Sequence, residues 1–127
     1  MLRIWILASA IVSLAPATGS TETNVTWTGW FSDANCAAPR AGRGVIEPNG
    51  TECVKRCLDK GVTPIFISEQ ARAVFEVKNY PTVKDDVGYH IELTGTIDEV
   101  AKVITVESVK RLELVASQCA LPKKPGK

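Results

Sequence analysis

Residues Gly88–Glu107 read GYHIELTGTIDEVAKVITVE. Tyr89, Ile91, Leu93 and Ile97 share one parity, and His90, Glu92, Thr94 and Thr96 share the other. A two-residue period is that of a strand with one face in a core and the other in water. Ile104 and Val106 resume the pattern after a polar turn around Asp98 and Glu99. The two runs therefore predict an antiparallel pair inside a small all-β domain.

Working outward, a first strand is expected at Val25–Ser32, with Trp27 and Phe31 turned inward and Trp30 outward, before Asp33 and Asn35 stop it. Ala37–Gly50, AAPRAGRGVIEPNG, has the glycine and proline content of a loop. Its length is unusual inside a compact domain, and cysteines at both ends tie it down. Gly42 and Gly44 belong to no complete phosphate-binding motif. Thr51 is placed to cap a short helix, Glu52–Asp59, that Gly61 ends. Lys55, Arg56 and Lys60 form its solvated side.

Pro64 opens a strand at Ile65–Ser68, and Ala73–Lys78 returns as its hairpin partner without the usual Asn-Gly turn. Thr82–Asp86 reads as one helical turn or a loop. Val109, Leu112 and Leu114 extend the last strand past Ser108 through a bulge or a change of direction. Five strands with one short helix after the first predict a small, closed or partly open OB-like β barrel.

Residues 2–17, LRIWILASAIVSLAPA, join one arginine to a short apolar run and a small-residue ending. This is the pattern of a signal peptide, residues 1–17, and the run is too short to span a bilayer. The expected organisation is a loose mature N-terminus over 18–24, one β domain over 25–119 and a basic tail over 120–127. The protein is expected to be exported, to the periplasm or the extracellular space, as a monomer with no transmembrane segment. Of 15 basic and 14 acidic residues only Arg3 leaves with the leader, so the mature chain is balanced. Balance gives no bulk attraction for nucleic acid.

The four cysteines, Cys36, Cys53, Cys57 and Cys119, read as two disulfides in an exported protein. A mutual Cys53–Cys57 bridge is awkward along one helical turn. Two pairings remain: Cys36–Cys53 with Cys57–Cys119, or Cys36–Cys57 with Cys53–Cys119. The second is favoured because Cys57 is approachable from the loop. Each bridge is expected to contribute about 3–4 kcal/mol.

Gly29-Trp30-Phe31-Ser32-Asp33 with Cys36, then Cys53-x3-Cys57-x3-Gly61, Val74–Val77, Gly88–Gly95 and Ile104–Val109, resemble a group of small exported bacterial proteins of unknown function. The resemblance implies an OB-like barrel with one short helix and supplies no reaction. Relatives in that group often carry a histidine before the Cys-x3-Cys pair; this chain has none between Cys36 and Cys53.

The residues do not point to an enzyme. An all-cysteine zinc site lacks Cys-x2-Cys knuckles, and a Cys-x-x-Cys redox pair is absent. His90 beside Glu92 begins an acid/base pair, but no nucleophile stands in a recognisable setting. No catalytic residue, cofactor or metal is therefore assigned. Asn24-Val25-Thr26 and Asn49-Gly50-Thr51 match the glycosylation pattern. The candidate binding surface is Trp30, Arg40, Arg43 and His90, with Trp30 as an aromatic anchor and the arginines steering acidic groups of a protein or envelope-polymer partner. The competing expectation is that Trp30 packs under the Ala37–Gly50 loop or under the segment ending at Cys119. The functional expectation is a non-catalytic binding module. The alternatives are a structural or cell-envelope-associated protein without a small ligand, and a small hydrolase using His90.

Overall fold

The computed structural model describes residues 22–115. The expected leader, Cys119 and the basic tail lie outside them. Among the described residues the order is β1 (Glu22–Asp33), α1 (Ala34–Ala41), α2 (Thr51–Asp59), β2 (Pro64–Ser68), β3 (Ala73–Val77), β4 (Tyr89–Asp98) and β5 (Val103–Leu114), with 3-10 turns at Tyr80–Thr82 and Lys84–Asp86 between β3 and β4.

The stretch that predicts the β4–β5 pair behaves as its parity demands. Ile91, Leu93 and Ile97 are buried, and Glu92, Thr94 and Thr96 alternate with them on the wetter face. The turn between the strands is an Asx turn: Asp98 Oδ1 accepts from Val100 N at 3.0 Å and Ala101 N at 2.9 Å. Lys102 takes a positive φ of 55° to complete it. The irregularity expected past Ser108 is present as a register shift at Leu112, and a second shift lies just before it, at Glu107. Thr94 pairs with Ser108 but Gly95 with Val106, and His90 pairs with Glu113 but Ile91 with Arg111. Each leaves one extra residue on β5 and bends the strand. At the Glu107 shift a Cβ on Gly95 would lie 2.3 Å from the Thr105 carbonyl oxygen, so only glycine fits.

β1 is a 12-residue strand with two partners. Glu22–Gly29 pairs antiparallel with β4, and Gly29–Asp33 pairs antiparallel with β2. The strand thus bridges two neighbours, with Gly29 in both registers. It begins at Glu22, inside the stretch expected to be loose. Phe31 sits edge-on to Phe66 at 5.9 Å, and Trp27 packs on Phe75 at 5.3 Å. The interior is filled by side chains at 1% exposure or less: Phe66, Phe75, Ile91, Leu93, Ile97 and Ile104 from the strands and Val54 from α2.

The hydrogen-bonded order is β1-β2-β3-β5-β4, returning to β1. Its weakest link is β3 to β5, a parallel contact of only two residue pairs, Glu76 with Val103 and Val77 with Ile104. A side chain lengthens that seam. Asn79 Nδ2 donates to Val106 O at 2.7 Å, and its Oδ1 accepts from Val106 N at 2.9 Å. The amide thereby imitates one more backbone pair.

The expected all-β, OB-like barrel with one short helix and two disulfides is corrected on several points. The chain is mixed α/β, because Ala34–Ala41, expected as strand end and loop, is a second helix. Asp33 caps it: its Oδ1 accepts from Cys36 N at 3.0 Å. Pro39 lies inside α1, which is why the composition read as loop. α2 starts at Thr51 with Gly50 at the cap position, so Thr51 is a helical residue and not the cap. The disulfide expectation fails at Cys36 and Cys57, which carry free thiols. Cys53 is disulfide-bonded.

The seam yields a test. Asn79→Ala should cost about 1–3 kcal/mol, because the Val106 amide and carbonyl lose their partner in a part-buried setting. Asn79→Asp should also destabilise, since a carboxylate still accepts from Val106 N but is repelled by Val106 O. Urea unfolding measures both. A loss below about 0.5 kcal/mol for both variants would show that the ring does not rely on this side chain.

Candidate functional site

The chemistry-bearing side chains gather where β1 passes into α1. Asp33, the last residue of β1, pairs with Pro64 of β2, and the next amide, Ala34 N, donates to Thr63 O at 3.0 Å. This double hold fixes the start of α1 and puts Cys36 in its first turn. Cys57 arrives from the last turn of α2. Lys60 N and Val62 N both donate to Cys57 O at 3.1 Å, and Gly61 with φ +86° reverses the chain towards Pro64. The same reversal that starts β2 beside Asp33 thus delivers Cys57 to it.

A carboxylate oxygen of Asp33 and the two sulfurs of Cys36 and Cys57 lie within 4.8 Å of one another. Asp33 is wholly buried, and both cysteines are half-buried. Burial first, then the Asp33 carboxylate, then the neighbouring Cys57 push the Cys36 thiol up to about 12. Asp33 Oδ1 is used by the helix cap, whereas Oδ2 has no hydrogen-bond partner. An unpaired buried acceptor costs about 1–3 kcal/mol, more if charged, and calls for an explanation. A carboxylate and two thiols at this separation are the donor set of a borderline-soft cation.

Sequence reasoning weighed the four cysteines as a metal set and missed Asp33. The readable signal was Asp33-x-x-Cys36, a helix cap whose third residue is a cysteine. The preference for Cys57 over Cys53 as the neighbour of Cys36 does bring the right two residues together, but as free thiols and not as a disulfide.

The candidate binding surface is distributed differently. Trp30 is half-buried and packs with Ala34, Ile46 and Val74 against the small cluster Ala37, Ile65 and Ile67. Its ring stacks on His90 at 4.9 Å and 25°. His90 Nε2 pairs with Glu69, and its Nδ1 faces Glu113 Oε1 at 3.5 Å. This arrangement ties β4 to β5 and to the end of β2. Arg40 lies on α1 and pairs with Glu47 at 3.1 Å, while Arg43 is exposed. The structure brings Trp30 and His90 together and shows no contact joining Arg40 or Arg43 to them. The binding-module reading is corrected accordingly. It rested on Trp30 as an outward anchor, and Trp30 is a packing residue under the α1–α2 segment.

No known protein family, curated protein or solved structure matches the chain. The resemblance to small exported OB-like proteins therefore has no support beyond its short motifs and is set aside. No helix among the described residues is long and apolar enough to cross a membrane.

Trp30→Ala should destabilise by about 2–4 kcal/mol, somewhat below a fully buried tryptophan, because it removes both the cluster packing and the His90 stack. Thermal or urea unfolding reads the change. A loss under about 1 kcal/mol would return Trp30 to the surface as a free side chain.

Proposed function

We propose that this chain is a structural, cell-envelope-associated domain that works without a small organic ligand. The observation that carries the reading is the filled interior. Residues from β1 to β5 and α2 close the concave side of the sheet with apolar side chains, among them Phe66, Phe75, Leu93 and Ile104. The hollow at its mouth, beside Trp30, Phe31, Thr51 and Tyr89, measures about 10 Å³, scarcely one water. Ligand sites are typically concavities of a few hundred Å³ with converging polar groups. Among the described residues, two hollows of about 320 Å³, one beside Lys55, Asp59, Tyr80 and Lys84 and one beside α1 and β3, include neither the Asp33 cluster nor His90.

Export is part of the proposal and rests on the leader pattern in residues 1–17. The outer face of the β1–β4 pair also suits a wet, load-bearing role. Thr26 and Thr94 are cross-strand partners with hydroxyls 3.3 Å apart, and Gln70 Nε2 donates to Thr28 Oγ1 at 2.8 Å. The Thr26–Thr94 pair is a polar cross-strand contact, and Gln70 reaches β1 from the β2–β3 turn.

Two measurements test the reading. Expression with the native leader followed by fractionation should place the processed chain in the envelope or exported fraction; retention of the full-length chain in the cytosol would refute export. Native mass spectrometry of the purified protein should give the polypeptide with inorganic ions at most. A stoichiometric organic adduct that survives dialysis would overturn the ligand-free role.

A further inference from the structure

We propose that Asp33, Cys36 and Cys57 bind one zinc-class divalent cation that ties the start of α1 to the end of α2. The inference goes beyond the structural reading above and rests on different observations. Three potential ligand atoms lie within 4.8 Å of one another although their residues are up to 24 positions apart in sequence. The carboxylate among them is fully buried, and one of its oxygens has no hydrogen-bond partner. A metal ion bound there would give that oxygen a partner.

The geometry is close to what a tetrahedral ion requires. Bonds of roughly 2.3 Å to sulfur and 2.0–2.2 Å to a carboxylate oxygen place such ligand atoms about 3.5–3.8 Å apart. Atoms already within 4.8 Å reach this by small side-chain rotations, with the backbone held. That backbone is well fixed: Asp33 by its β2 pairing and its capping bond, Cys57 by the amides that close α2. The cap uses Oδ1 and leaves the other oxygen for the metal. Binding replaces the two thiol protons, which pass to solvent, with two metal–sulfur bonds, and no electron transfer is involved. Water completes the fourth position, because both cysteines retain some exposure.

The donor set selects the class of ion. Two thiolates exclude the hard cations that prefer all-oxygen cages, and the carboxylate disfavours copper(I), which prefers sulfur alone. Zinc(II), or cobalt(II) as its spectroscopic substitute, accepts both donor types.

The test uses the mature protein purified without reductant, so that the Cys53 disulfide stays intact. Chelator-stripped protein is titrated anaerobically with cobalt(II), following the thiolate-to-cobalt charge-transfer absorption, and zinc is then used to displace the cobalt. One equivalent should saturate the signal. Cys36→Ser and Cys57→Ser should each lose most of it. Asp33→Asn separates ligation from folding, because asparagine caps helices as well as aspartate. It should bind cobalt at least tenfold more weakly while unfolding within a few degrees of the native protein. Peptide mapping that finds a Cys36–Cys57 disulfide, with no cobalt or zinc bound, would overturn the proposal. So would an Asp33→Asn variant that binds as tightly as the native chain.

Discussion

Everything in this molecule depends on closing a curled sheet whose last joint is two residues long. β1 holds β4 and β2 through long antiparallel ladders, and β4 and β5 form another. The β3–β5 contact is parallel and short, and parallel pairs are slightly weaker per residue. Without it β3 and β5 would each present an edge of unpaired amides and carbonyls. The Asn79 side chain supplies the missing length. The 3-10 turns that follow Asn79 carry Val83, which, with Val87 just after them, joins the main core, so the seam and the interior are anchored together.

The opposite side of the sheet is organised by a second constraint. β1 does not end in a loose loop; it turns directly into α1 through a buried aspartate. Asp33 serves two neighbours, Pro64 through strand pairing and Cys36 through the cap, and its carboxylate stands within 4.8 Å of the two sulfurs. The Ala37, Ile65 and Ile67 cluster beneath α1, with Trp30 leaning on it, fixes the helix to the sheet from the other side. A small apolar cluster and a polar one therefore hold the same helix, which explains how an eight-residue helix with an internal proline persists.

The strands were legible because their signal is local. The alternation in β4, the inward parity of Trp27 and Phe31, and the Ile65–Ser68/Ala73–Val77 hairpin can all be read from side-chain period alone. α1 was not legible, because Pro39 and the glycines beyond Ala41 outweighed the capping signal of Asp33. The hairpin turn also departs from the common recipe, since Arg72 takes the positive φ of 50° that a glycine usually supplies and Ser68 Oγ accepts from Ala71 N. The site was the least legible part. Cys36 and Cys57 were paired in the favoured reading, but as a disulfide, and Asp33 joins them through a chain reversal at Gly61 that no spacing announces. For Trp30 parity assigned only the outer face, and of the two readings that left open, packing under the Ala37–Gly50 segment is the one the structure shows.

The double role of β1 has a consequence for the order in which the chain can assemble. Its larger partner, β4, lies some 70 positions downstream: Thr26 meets Thr94 across a separation of 68. A chain delivered from its N-terminus offers β1 first and β4 nearly last. Through most of that interval only Gly29–Asp33 can find a mate, in β2. The half bearing Val25 and Trp27 must wait with its apolar side open, since non-local pairing forms slowly and exposed strands invite other chains. The acid and threonine side chains that alternate there, Glu22, Thr26 and Thr28, keep that waiting strand hydrated on its other face. They act as a guard during biogenesis as well as a surface afterwards.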